Sequence, residues 1–458
     1  MKNLTKIILI LSIAIAFIFS SCEKSIDFQP TTEINSGFAL TTTSGLETAV
    51  IGAYDRLQSG YLFGGRMWTS GDMLAYNVKK SGEYALVYEE IQMMNKEMSP
   101  DNLITAVMWI DGYWAINMVN TVIEAIPEVK DEYIEEAKGR IEGECIFIRA
   151  LVNFEMMRYF QNLKTGEAIP LLTSPTTIDD KPSRASVDGV YNQVIADLQR
   201  AIELLPVSNN DRATKWAAKA LLSRVYFYRG NFQEAADAVT EVIESNQFQL
   251  VTDSVIRNYR TELSEEVIFA IMSTVGDASC GALNGFFRKV SSSAPKFILS
   301  DKLVKIFLFT SGYTDTIADK RYNEMVLPIE GKAFTTKFND RYMSVPLIRL
   351  AELYLTRGEC RLNLGDMAGA IEDINVIRER ATIKPFESSV NLNDFYYERA
   401  KELFYEGDNF HNRRRLHKTI KDPNPNNDIE FDWDDYALMF KIPQREIDVN
   451  PNLTQNGP

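Results

Sequence analysis

The sequence predicts a mainly α-helical protein, a scaffold of helical hairpins joined to a second, irregular, loop-rich part with short strands. Three observations predict it. Apolar residues recur with a 3.6-residue period through much of the chain from Thr43 onward. Two distant segments repeat one helix–turn–helix pattern. Between the periodic stretches the composition shifts to Gly, Ser, Tyr and polar residues.

The chain opens with Lys2 and Lys6 ahead of Ile7 to Phe19, a run that is apolar but for Ser12. At about 1.5 Å per residue the run reaches roughly 20 Å, too short for a bilayer core of about 30 Å. Residues 1–21 therefore read as a signal peptide. Phe19-Ser20-Ser21-Cys22 resembles a bacterial lipobox, which implies cleavage before Cys22, lipid on its thiol and acylation of the new amino group. Each buried CH₂ contributes about 0.8 kcal/mol, so two or more chains anchor stably where one is marginal. Residues 22–42 read as the lipidated cysteine and its tether. Cleavage removes Lys2 and Lys6 and moves the net charge from −14 to about −16.

Helices follow in order. Leu46, Val50, Ile51, Tyr54 and Leu57 place a helix over Gly45 to Leu57. Trp114, Met118, Val122 and Ile126 place another over Tyr113 to Ile126, stopped by Pro127. Glu135 to Phe160 is a long helix. Val187 to Leu205 is the next, with Ser186 as its cap and Pro206 as its stop. The repeated pattern lies in Ala217 to Ile243 and in Leu347 to Arg380. The first holds Gly230-Asn231 with Ala235, the second Gly365-Asp366 with Ala370. Gly permits the left-handed turn, Asn or Asp can cap the following helix, and Ala allows close helix approach. This is tetratricopeptide-like grammar. The helices fall mainly in residues 43–57, 101–250 and 345–418. The irregular regions are 58–100, 251–344 (with a strand-like run at Glu266 to Met272) and 419–458. Long loops on a hairpin scaffold are where ligand chemistry is normally placed.

Composition narrows function. Asp and Glu number 63 against 49 Lys and Arg, so the overall field repels nucleic acid. The four cysteines show no C-x-x-C spacing, and Cys145 and Cys360 read as buried thiols. His411 and His417 stand six apart, which is not the i, i+4 spacing of a helical zinc pair. No P-loop, G-x-S-x-G or H-E-x-x-H is present. Neither catalysis, metal nor cofactor is expected. Arg413-Arg414-Arg415 reads as a helix end or as partners for nearby acids. Aromatic side chains are the better binding candidates, because Tyr and Trp pair a broad apolar face with one polar handle. Trp68 comes first, flanked by Gly64-Gly65 and Gly71-Asp72, with Tyr61, Tyr76 and Tyr84 in the same region. Phe286 and Phe287 beside Arg288 come second. Trp109, Trp114 and Trp216 lie on helical faces and read as core.

Five loose motifs occur in order behind the lipobox. They are Arg149-Ala150-Leu151 with Arg158-Tyr159-Phe160 and Ile169-Pro170-Leu171; Arg184-Ala185-Ser186 through Leu205-Pro206; Arg349 to Leu355 with Glu359; Glu398-Arg399, Glu402-Leu403 and Glu406-Gly407; and Ile442-Pro443 through Gln455-Asn456. Together they resemble the SusD/RagB-like nutrient-binding lipoproteins over nearly the whole chain. After Glu406-Gly407 the family usually has an Arg and then Asp-Leu, where this chain has Asn409 and Asn412-Arg413, so an ion pair is replaced by amides. The resemblance implies a lipid-anchored outer-membrane protein that captures oligosaccharides or peptides at the cell surface. It also implies a partner, a SusC-like TonB-dependent transporter, and no catalysis. Two other readings stand beside it: a lipid-anchored helical-repeat adaptor for other proteins, and a lipid-anchored hydrolase.

Overall fold

The computed structural model describes residues 40–289, 295–309, 319–423, 427 and 429–457. Cys22, the signal peptide and most of the tether lie outside the described residues.

Local capping chemistry starts several of the helices. α1 (Thr43–Leu57) begins where the Thr42 hydroxyl accepts from the Gly45 N–H. α2 (Arg66–Leu74) and α3 (Tyr88–Asn95) lie within 58–100, a stretch the sequence reading gives to irregular loop. α4 (Leu103–Ala125), α6 (Val187–Leu204) and α7 (Lys215–Arg229) are capped by Asn102, Ser186 and Thr214, each accepting a backbone N–H of the first turn. Between them runs α5 (Ile134–Phe160), and α8 (Phe232–Glu244) closes the first half of the scaffold. The irregular region holds α9 (Gly281–Phe287), α10 (Asp301–Phe309) and α11 (Lys320–Met325). The second half has α12 (Leu350–Asn363), α13 (Met367–Arg380), α14 (Leu392–Glu402), α15 (Asp408–Arg415) and α16 (Gln444–Val449).

Neighbouring helices of the scaffold pack side by side from α4 to α8, and α8 then packs on α12, which packs on α13 and α14. Two hairpins far apart in sequence thus become consecutive layers. α7–α8 and α12–α13 are the two copies of the repeated pattern. Gly230 and Gly365 take φ of 91° and 86° at their turns, the left-handed conformation that favours Gly. Asp366 caps α13 by accepting from the Gly369 N–H at 2.9 Å. Asn231 makes no such cap bond and instead donates to Glu234. Ala235 and Ala370 are fully buried at the hairpin contacts, and Cys360 of α12 packs with Phe227 and Ala235 between the layers.

The strands are short: β1 (Val78–Lys80), β2 (Val267–Ile271), β3 (Phe297–Leu299), β4 (Val326–Ile329), β5 (Lys332–Thr335), β6 (Val345–Arg349), β7 (Ile420–Lys421) and β8 (Glu430–Phe431). They form antiparallel pairs β1–β3, β2–β6, β4–β5 and β7–β8. The architecture is a mainly helical hairpin scaffold with an irregular part, as the sequence predicts.

A buried charge network fastens the irregular part to the scaffold. Arg349, at the end of β6, bonds Glu266 at 2.8 Å, Glu402 at 3.0 Å and Glu406 at 2.9 Å. Arg321 bonds Asp319 at 2.9 Å and Glu398 at 2.6 Å. Arg380 reaches Glu266 at 2.9 Å, and Lys337 reaches Glu406 at 2.7 Å. Burial alone would raise the Glu402 carboxyl, but Arg380, Arg349 and Arg321 hold it far below the usual carboxylate range. Several polar residues that carry the family resemblance (Arg349, Glu398, Glu402 and Glu406) belong to this network.

Candidate functional site

A broad open groove of about 1180 Å³ runs between α10, α14 and the segment that follows α15. α14 supplies Tyr396 and Tyr397. Tyr396 is buried, and its hydroxyl accepts from Arg413 Nε at 2.8 Å. Tyr397 stands 38% exposed at the rim. Arg413 also donates to the Thr419 carbonyl at 3.2 Å, which fixes the chain as it leaves α15. His417 adopts φ of 50° there and stacks on Trp433, ring centroids 3.9 Å apart. Lys418 donates to Asn393 at 2.6 Å and lies 5.0 Å from the Tyr396 ring.

The walls carry Lys302, Lys305, Arg413, Lys418 and Lys421 against Asp301 and Asp422. This is a basic patch on an acidic protein. Lys302 Nζ has no hydrogen-bond partner among the described residues, and burial, then the neighbouring Arg413, pushes its ammonium down to about 7. Lys96 sits 3.0 Å over the Tyr76 ring and donates to the carbonyls of Met73 and Met94. Burial and then the charge of Lys302 depress Lys96. Burial and then Asp422 push Tyr76 up to about 12. Lys96 and Tyr76 therefore lie within the electrostatic reach of the groove. Ring faces, hydroxyls and cations at one open surface suit a polyhydroxylated ligand. Among the described residues no group of three His, Cys, Asp or Glu is arranged to hold a metal ion.

The structure places the sequence-predicted residues in different settings. Trp68 is 6% exposed on α2, with its ring 6.4 Å from that of Phe338. Tyr76 is buried under Lys96. Phe287 is fully buried and stacks on Tyr405 at 4.5 Å. All three are buried in the structure, Trp68 beside a small cavity. The glycines around Trp68 explain its burial. A Cβ on Gly71 would stand 2.9 Å from the Gly407 carbonyl oxygen and from the Tyr159 hydroxyl. They serve close packing of α2 rather than a flexible loop. Tyr61 is partly buried against the core. Phe286 is partly buried beneath Arg66, whose guanidinium lies 4.2 Å from the ring centroid. Tyr84 and Arg288 are exposed. Trp114, expected in the core, is 55% exposed under Arg56 at 4.2 Å. Trp109 is buried as expected.

Sequence reasoning missed Tyr396, Tyr397, Lys302 and His417. The Tyr-Tyr pair sits inside an ordinary helical period, and Lys302 meets α14 only through tertiary packing. The basic run at 413–415 was the available signal. Its helix-end and ion-pairing reading holds for Arg415, which bonds Glu359 at 2.7 Å, while Arg413 serves the groove.

Known proteins place the chain. A family model described as "Starch-binding associating with outer membrane" matches residues 52–227, and the SusD family model matches residues 319–458. A SusD-like protein of Formosa agariphila is 26% identical, with 96% of each chain covered. The starch-binding protein SusD of Bacteroides thetaiotaomicron is 32% identical over 24% of this chain and 21% of its own. The crystal structure of a SusD superfamily protein from Bacteroides thetaiotaomicron superposes with a TM-score of 0.81 at 25% identity, covering 91% of this chain and all of that one. A structure from Bacteroides vulgatus described as a "putative sugar binding protein" gives 0.79 at 25% identity, covering 91% of this chain and 98% of the other. With both family models matched in order and the same helical fold throughout, the chain belongs to the SusD/RagB-like family.

Proposed function

We propose that the protein is a lipid-anchored, surface-facing outer-membrane receptor. It captures oligosaccharides in the groove beside α14 and delivers them unaltered to a SusC-like TonB-dependent transporter. The observation that carries this reading is the groove itself, open to solvent and rimmed by the Tyr397 ring with cations beside it. A stacked sugar face gains roughly 1–2 kcal/mol at about 25 cal/mol per Å², which is enough to hold cargo and still release it. The family description ties relatives to starch and to the outer membrane. The lipobox at Cys22 supports a lipid anchor, and among the described residues no helix is long and apolar enough to cross a membrane. Of the sequence-predicted residues, Tyr84 and Arg288 are exposed and Tyr61 and Phe286 half-buried, so these four stay available as ligand contacts outside the groove.

The test is a binding screen of the purified chain against glycan and peptide panels, with pull-down of membrane partners from the native host. Saturable binding of a glycan and recovery of a TonB-dependent barrel are expected. Binding to peptides alone would move the cargo class, and recovery of soluble proteins without any barrel would favour an adaptor.

A further inference from the structure

Next to the groove lies a recess of about 420 Å³ between α6, the α7–α8 turn and α15. That size is within the roughly 300–1,000 Å³ of small-molecule sites. Its walls carry Arg158, Arg229, Arg414 and Arg415, and Asp188 is the one carboxylate among them. Asp188 is exposed and lies 3.5 Å from Arg229, so that pair is screened by water.

The other three arginines are nine-tenths or more buried, and among the described residues each has one N–H group without a partner. Arg414 is 5% exposed; it donates to the Trp433 carbonyl at 3.2 Å and the Arg158 carbonyl at 3.0 Å, and its Nη2 has no partner. Arg415 bonds Glu359 from Nη2, leaving Nε without a partner. Arg158 pairs with Glu155 and leaves its own Nε without a partner. A buried N–H that bonds nothing costs about 1–3 kcal/mol, more on a charged group. These N–H groups are closed to solvent as they stand, so an oxyanion entering the recess relieves that cost once the lining guanidinium groups turn toward it. Planar guanidinium forks match the oxygens of a carboxylate or a sulfate. Rings complete the site: Tyr191, Tyr228 and the Trp433–His417 stack line the same recess and offer faces to a sugar ring. His417 lines both recess and groove, so one chain of sugars can occupy the two together.

We infer that the recess is a subsite for the acidic group of a saccharide, a carboxylate or a sulfate ester, and that the cargo is an anionic oligosaccharide. The inference rests on the capture reading above. A neutral sugar would leave the buried guanidinium N–H groups unpaired, so the site discriminates against it.

The experiment is calorimetric titration of the purified chain with maltotetraose, tetragalacturonate and a sulfated carrageenan tetrasaccharide, and separately with glucuronate and inorganic sulfate. At least one acidic tetrasaccharide binds 10-fold or more tighter than maltotetraose, and raising the salt weakens it. The tighter acidic arm tells carboxylate from sulfate. Arg414→Gln lowers acidic binding about 10-fold. Arg229→Ala, at the half-exposed rim where folding is not at stake, lowers it about 5-fold; both changes cost the acidic tetrasaccharide more than the neutral one. Equal affinity for neutral and acidic tetrasaccharides overturns the inference and leaves the capture reading standing. Binding of glucuronate or sulfate with no oligosaccharide bound leaves the oxyanion site standing and overturns the capture reading, together with the cargo assignment that rests on it. Unchanged acidic affinity in both variants also overturns it.

Discussion

The hairpin scaffold and the irregular part are held by different physics. In α7–α8 and α12–α13 small residues let helices close on one another, and Phe227, Ala235 and Cys360 fill the space between layers. The irregular part instead hangs on ionised groups buried where β6, α11, α13 and α14 meet. Apolar packing tolerates a lost methyl group gradually, because the cost scales with the volume vacated. A buried ion network fails abruptly, because removing one partner strands the others without water. The groove lies where the two regions meet, with α14 on one side and α10 on the other.

The largest expected effect breaks the network. Arg349→Ala leaves Glu266, Glu402 and Glu406 short of a cation and should destabilise the fold by about 5 kcal/mol, read as a lower urea midpoint. Replacement of a scaffold alanine should not approach that.

Asp72 sharpens the contrast. It is buried in α2 and accepts from Asn77 at 2.8 Å, while Asn409 donates to Asn77 at 2.9 Å. Burial, aided by Glu406 and Asp408 and opposed by Asn77 and Lys337, pushes the Asp72 carboxyl from 3.8 up to about 7. The folded state then holds this proton more tightly than the unfolded chain does. The Asp72 contribution is most favourable below pH 4, falls as pH rises and is lost above about 7. At 1.36 kcal/mol per unit the full span is on the order of 4 kcal/mol. Asp72→Asn should flatten that decline, seen by comparing denaturation midpoints at pH 4.5 and 7.5.

Trp68→Ala tests the packing role of the residue first expected at the ligand. It should cost about 3 kcal/mol in stability, and leave the affinity of the folded fraction unchanged. Smallest is Ser186→Ala, which removes the cap on α6 and should cost about 1 kcal/mol in a thermal melt.

These cases also show what sequence could reveal. Ser186 and the two turn glycines act through neighbours a few residues away, so their roles were legible. The burial of Trp68 is not legible, because Gly71, which reads as loop, makes room for Gly407 more than 300 residues later in the chain. Arg349 opens one of the motifs, but its ion-pairing role is not legible there, and Tyr397 has no local signature, since their partners or surroundings arrive from elements distant in sequence. The amide replacement at Asn409 was visible as a departure from the family pattern, but its contact with Asn77 was not.

The most direct test of the capture account is one calorimetric titration series, with oligosaccharide added to the wild-type chain and to Tyr397→Ala. Saturable heats that return to baseline are expected, with affinity about 5–10-fold weaker in the variant, matching the loss of roughly 1–1.4 kcal/mol of stacking. Identical affinity in the two proteins, or a sustained heat of turnover after each injection, would contradict it.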